Sequence, residues 1–125
     1  MDSQVTPAFL ADFAAAFNRH DCPALLTMMT DDCIFETAAG AHDYGERHHG
    51  KDAVGRAFSK VWETFPDARW QKDTHVVCGT RGFSEWVFRG TDPSGNAVEV
   101  RGVDVFTFKD GKIAVKNTFR KNRSA

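Results

Sequence analysis

No apolar run in these 125 residues approaches the ~20 that span a bilayer, so no transmembrane helix is expected. The opening MDSQVTPAF begins with an acid and lacks a basic segment followed by an apolar one, which predicts no signal peptide. Cysteine is scarce. Cys22, Cys33 and Cys78 are an odd set without metal-ligand spacing and read as reduced thiols in a cytoplasmic setting. The five histidines form no HExxH pattern and are not coupled to the cysteines, which argues against a metal site. A Gly-rich phosphate cradle and a Cys-His nucleophile arrangement are also absent as motifs, and no cofactor is expected. The formal net charge of −1, with no basic stripe interleaved with aromatics, argues against a nucleic-acid partner.

Phenylalanine, by contrast, is plentiful. Eleven Phe within a hydrophobic fraction of 42% fit a one-domain protein with an aromatic-rich core that needs no disulfide or metal. Thr6-Pro7 is a helix start, and Phe9, Phe13 and Phe17 then recur at i, i+4 and i+8, joined by Leu10 and Ala14. Asn18-Arg19-His20-Asp21 breaks this helix, and Asp21 can cap a short second one through Pro23, Leu25, Leu26 and Met29. A brief strand over 33–37 and a polar loop follow, with a short strand near 46–49. Gly50-Lys51-Asp52 opens a third helix with Val54, Phe58, Val61, Trp62 and Phe65 on one face, ended by Pro66. Strands over 70–78, 83–90, 97–108 and 112–120, separated by Gly-, Pro- and Asn-containing turns, predict a four-strand antiparallel meander. Helices segregated from an antiparallel sheet mean a single α+β domain, with residues 121–125 as a frayed tail.

The stretch 97–119, AVEVRGVDVFTFKDGKIAVKNTF, places a carboxylate where its alternation calls for a hydrophobe. Val98, Val100, Asp104, Phe106 and Phe108 share one face, while Glu99, Arg101, Val103, Val105 and Thr107 share the other. A carboxylate on an apolar face must lose its charge or find donors. Asp104 is therefore the leading functional candidate, as a desolvated acid or hydrogen-bond donor. The alternative is a structural acid satisfied by its neighbours.

The order of elements, with TDDCIFE after the helical pair, GKDAVGRAF opening the third helix and RGVDVFTFKDGKI near the end, resembles the nuclear transport factor 2-like superfamily. More narrowly it is similar to the SnoaL-like branch. The resemblance implies a cone-shaped curved sheet wrapped round about three helices, open at one end to a small, mostly apolar molecule. Relatives include ketosteroid isomerases, polyketide cyclases, epoxide hydrolases, dehydratases and non-catalytic protein-binding modules, so the fold alone leaves function open. Asp104 stands where ketosteroid isomerase keeps a protonated aspartic acid as oxyanion donor. Thr37, beside Glu36, stands at that enzyme's base position, and Phe13 at its oxyanion tyrosine. Thr118, beside Asn117, stands where cyclases and epoxide hydrolases carry an aspartate, and Trp70 where HCl-eliminating relatives carry a histidine. No known catalytic set transfers whole.

Other residues can supply a base. Glu36 and Glu85 are carboxylates flanked by apolar residues, although alternation sets Glu85 with Phe83, Val87 and Arg89, away from Trp86 and Phe88. His48 and His49 sit at the expected cone mouth, and being adjacent on a strand only one faces inward. Tyr44, the single tyrosine, can orient a ligand carbonyl, as can Asn117 and Thr118. Asn117 is placed on one face with Ile113, Val115 and Phe119, near Asp104. His75 is assigned to a sheet surface. Phe13, Phe17, Phe58, Trp62, Trp70, Trp86 and Phe106 form core and cavity wall. The expectation is an isomerase-, cyclase- or lyase-type proton-transfer enzyme acting on a small apolar carbonyl or cyclic compound. A non-catalytic carrier or a protein-interaction module on the same fold remains open. Val103 and Val105 on the outer sheet face predict a homodimer.

Overall fold

A computed structural model describes residues 4–124 of the chain. Helix α1, Pro7–Asn18, starts as the Thr6 hydroxyl accepts from the Phe9 N–H at 3.1 Å, with Pro7 in the first turn. Asp21 likewise accepts from the Ala24 N–H at 3.2 Å and caps α2, Cys22–Thr27. Then come β1 (Met29–Glu36), β2 (Arg47–His49), α3 (Lys51–Thr64), β3 (Arg69–Cys78), β4 (Arg81–Thr91), β5 (Ala97–Lys109) and β6 (Lys112–Arg120). The fold class is α+β, as expected.

The six strands form one curved, unclosed sheet in the order β2-β1-β6-β5-β4-β3. β3 to β6 are the predicted antiparallel meander. β1 inserts beside β6 in parallel and carries β2 on its other edge. The first strand begins at Met29 rather than Cys33, because pairing with Ile113 extends it backwards. Helix α1 packs on β3, and α3 packs on β1 and β2. Phe13, Phe17, Phe35, Phe58, Trp86, Phe88, Phe106 and Phe108 are buried between helices and sheet. Phe17 anchors this layer, with ring centroids 4.9 Å from Phe58 and 4.8 Å from Trp70.

Two irregularities decide which side chains enter the interior. In β6 the register with β5 slips: Phe108 opposes Ile113, but Thr107 opposes Val115, so Ala114 is an extra residue. A one-residue insertion reverses the facing of everything beyond it. Ile113 and Lys116 are consequently both buried, and Thr118 and Arg120 continue the inward row. Asn117 therefore faces outward opposite Val105, which corrects its expected place beside Ile113 and Asp104. In β3 the register slips between Gln71 and Thr74, where Lys72 adopts φ 55°, and His75 beyond it turns inward opposite Ser84. His75 is half-buried rather than on the sheet surface.

The outward face carries Val76, Phe83, Val103, Val105 and Phe119, of which Val76 is 40% and Phe119 53% exposed. Beyond β6 the chain follows β5: the Lys121 N–H donates to the Arg101 carbonyl at 2.8 Å, and the Arg123 Nη1 donates to the Glu99 carbonyl at 3.3 Å. The last residue of the expected tail, Ala125, lies outside the described residues. No helix among those residues is long and apolar enough to cross a membrane.

Candidate functional site

Strand register lays two rows of side chains across the concave face. One runs His48–Phe35–Lys116 across β2, β1 and β6. The other runs Thr118–Asp104–Ser84–His75 across β6, β5, β4 and β3. Lys116 and Asp104 bring the rows together. Lys116 Nζ donates to Asp104 Oδ1 at 2.9 Å and to Thr118 Oγ1 at 2.9 Å, while Thr118 Oγ1 donates to the same Oδ1 at 2.5 Å. The other oxygen, Oδ2, accepts from the Trp86 indole Nε1–H at 3.0 Å. Asp104 is 7% exposed and Lys116 5%.

Both Asp104 oxygens thus receive donors, two of them from groups that can only donate, which is the surrounding of a carboxylate. Asp104 thus accepts from Lys116, Thr118 and Trp86, and holds the ammonium of Lys116 in place. Gly102 makes the Trp86 bond possible, since a Cβ there would collide with the six-membered part of the indole ring. The indole occupies the space that a side chain at Gly102 would take and reaches Asp104 with its N–H.

Lys116 is also ringed by aromatic faces. Its Nζ lies 4.6 Å from the Phe35 centroid, 5.0 Å from Phe17 and 5.8 Å from Phe58. An ammonium has three N–H donors, and oxygen acceptors among the described residues take two. The third is left toward the rings and the cavity beside them.

That cavity measures about 440 Å³. Phe17, Phe35, Trp70, Trp86 and Phe88 make its apolar wall, Lys116 and Thr118 its polar inner end, and His48 contributes an imidazole. Exposed Glu46, Lys60 and Arg120 form its rim. The volume suits a small organic molecule. Asp104 stands behind Lys116, outside this lining. It borders instead a hollow of about 20 Å³, the size of one water molecule, with Leu10, Phe13, Ser84 and Phe106.

The remaining candidates divide between the cavity and other places. His48 is half-buried with its ring 6.0 Å from Phe35, whereas His49 is exposed on the opposite side of β2. Glu36 does not reach the cavity. Its carboxylate pairs with Arg47 Nε at 2.7 Å in a separate recess that also holds Tyr44 and Asn117. Tyr44 stacks on His42 at 4.9 Å beneath the Arg47 guanidinium, which fixes it away from Lys116. Glu85 is exposed on the outer sheet face, where the alternation of β4 puts it. Phe58 and Trp62 are core, although Phe58 contributes a ring to Lys116.

Sequence reasoning missed Lys116, Glu46, Lys60 and Arg120 as site residues, and missed the partnership of His75 with Ser84. His75 Nδ1 lies 2.7 Å from Ser84 Oγ, and its Nε2 lies 2.7 Å from Asp73 Oδ2. The bulges that turn Lys116 and His75 inward leave no mark in the sequence. A lysine within KIAVKNTF is nonetheless a weak signal for the partner that Asp104 requires.

A curved sheet folded over helices in this way places the chain among the cystatin-like and NTF2-like folds. The chain belongs to the SnoaL-like domain family, whose profile matches residues 10–116. No curated protein matches the sequence significantly. Among solved structures it is similar to a protein from Pseudomonas putida described as a candidate polyketide cyclase. That match has 20% identity and a TM-score of 0.80, covering 97% of this chain and 93% of the other. An NTF2-like protein of unknown function from Mesorhizobium loti is 29% identical with a TM-score of 0.73, over 90% and 88% of the two chains. A Catenulispora acidiphila protein of ketosteroid isomerase-like fold, in complex with trimethylamine, is 16% identical with a TM-score of 0.79, over 92% and 86%.

Proposed function

We propose that this protein is an enzyme of proton transfer acting on a small, mostly apolar carbonyl or cyclic compound held in the 440 Å³ cavity. The observation that carries this reading is the ammonium of Lys116, fixed at the inner end of an apolar wall with one N–H unmatched. A carbonyl oxygen docked on that N–H would develop negative charge against a preorganised cation in a dry site. Removing one such donor typically costs ~3 kcal/mol of transition-state stabilisation. Asp104 and Thr118 are positioning residues, because they hold the ammonium in place from behind.

His48 is the base in this scheme. Neighbouring strands lie ~4.8 Å apart, so the backbones of His48 and Lys116 are ~10 Å apart, and the Phe35 ring between them is the floor on which a small ring would lie within reach of both. The neutral imidazole takes a proton from the carbon next to the carbonyl. The C–H electron pair forms a C=C bond, and the carbonyl π pair moves onto the oxygen held by Lys116. Return of the proton to a different carbon gives isomerisation, and loss of a β-substituent gives elimination. Assembly as a homodimer through the outward apolar face belongs to the same reading.

The direct test is incorporation of deuterium from D₂O into small cyclic ketones such as 2-cyclohexenone and 2-indanone, followed by proton NMR. The protein should exchange the α-protons faster than buffer, and His48→Ala should abolish the gain. Exchange that His48→Ala leaves unchanged refutes the assignment of the base. A second reading, a non-catalytic carrier, draws on the complete engagement of Asp104 by protein donors. Tight binding of these ketones without any exchange would favour it.

A further inference from the structure

Arg120 is the arginine on the cavity lining. It follows Lys116 and Thr118 on the inward row of β6 and lines the same cavity. Its guanidinium carbon lies 5.5 Å from the centroid of Phe88, a ring only 2% exposed. Outside the cavity, Arg47 pairs with Glu36 at 2.7 Å, and Arg89 with Glu99 at 3.1 Å. Among the described residues no carboxylate or carbonyl meets the side chain of Arg120. Burial pulls its pKa below the ordinary arginine value, and nothing opposes that loss of solvation. A guanidinium that is partly desolvated over an aromatic ring and lacks an acceptor is a fork waiting for a planar anion.

The rest of the wall agrees. Lys60 on α3 adds a second rim cation, with Glu46 as the carboxylate on the lining. Lys116 and Asp104 neutralise one another. Two rim cations against one carboxylate leave an excess that a monoanion would balance. A cationic guest, by contrast, would find the faces of Phe17, Phe35 and Phe58 already occupied by the ammonium of Lys116. Along a strand four residues span ~13 Å, so Lys116 and Arg120 address opposite ends of a short molecule.

We infer that the cavity takes an apolar oxo-monocarboxylate, its carboxylate held by Arg120 at the rim and its carbonyl oxygen on Lys116 at the inner end. This rests on the reading of Lys116 as the carbonyl's partner, and adds to it the charge and length of the substrate.

The test uses the whole protein, loaded with the neutral fluorophore N-phenyl-1-naphthylamine. The fluorophore is displaced by 4-oxo-4-phenylbutanoate or by the carboxamide of the same skeleton. The acid should displace it at about tenfold lower concentration than the amide, as a charge-assisted fork predicts. Arg120→Gln should bring acid and amide together by weakening the acid alone, and Arg120→Lys should keep part of the preference. Equal potency of acid and amide on the natural protein overturns the inference while leaving the cavity reading intact, and this arm depends on no variant. A preference that survives Arg120→Gln overturns the assignment of the carboxylate to Arg120. Failure of the fluorophore to bind at all overturns the cavity reading, and this inference with it.

Discussion

Replacing Lys116 by Met removes the cation from Asp104 and leaves a carboxylate that is 7% exposed with only the Thr118 hydroxyl and the Trp86 N–H as donors. Breaking a buried pair from one side costs about 3–5 kcal/mol, and the two remaining donors place this variant toward ~3. Asp104→Leu leaves the ammonium with the Thr118 oxygen and three aromatic faces, a comparable loss of ~3 kcal/mol. The double variant Asp104→Leu/Lys116→Met has no charge to strand. Its remaining defect is the unanswered Trp86 N–H, worth about 1–3 kcal/mol. The two substitutions should therefore be strongly non-additive, with a coupling of about 4 kcal/mol. Urea unfolding followed by tryptophan fluorescence reads this directly. With a slope of about 1–3 kcal/mol/M, each single variant should lower the midpoint by about 1–3 M, and the double by clearly less than both together. Single variants that shift the midpoint by under ~0.3 M, or a double that simply adds, would show that Lys116 and Asp104 are not a buried pair in solution.

Three shorter predictions accompany it. Gly102→Ala should push the Trp86 ring off β5, destabilise by about 1–3 kcal/mol and shift tryptophan emission to the red; unchanged emission and stability would refute the close approach. Asp67 accepts from the Thr91 hydroxyl at 2.7 Å and from its N–H at 2.8 Å, and these bonds, the hydroxyl first, lower its pKa. A depressed carboxylate contributes stability above its unfolded pKa of about 3.9 and loses it as pH falls through the folded value. The stability advantage of the natural chain over Thr91→Val should accordingly stay level from pH 7 to pH 5 and shrink below about pH 4, and a gap independent of pH refutes the linkage. Sedimentation velocity at micromolar concentration should give a dimer for the natural chain and a monomer for Val105→Glu; a monomeric natural chain ends the proposal for the outward face.

The helix starts at Thr6-Pro7 and Asp21, the meander and the inward face of β5 were all legible, because each follows from short-range chemistry: a cap, a turn, a period of two. Asp104 was legible for the same reason. Its partner was not, because Lys116 lies on another strand and is turned inward by an extra residue at Ala114. Alternation counted through a bulge gives the wrong face, which is why Asn117 was placed inside and Lys116 overlooked. The same error, at Lys72, hid the bonds of His75. Glu36 and Tyr44 looked available because Arg47, which occupies both, is brought to them by the β1–β2 pairing and not by sequence proximity alone.

The parallel seam between β1 and β6 has a consequence for biosynthesis. Residues 29–36 emerge from the ribosome well before residues 112–120, yet each needs the other as its sheet neighbour. During that interval residues 34–36 have their early partner β2 on one edge, and the other edge of β1 has no partner. Lys116, Thr118 and Arg120 all arrive on β6, so a nascent chain holds a half-sheet and no binding chamber until residues 112–120 have emerged. Premature release short of β6 would yield a polypeptide with an open, sticky edge, a ready substrate for chaperones and proteases.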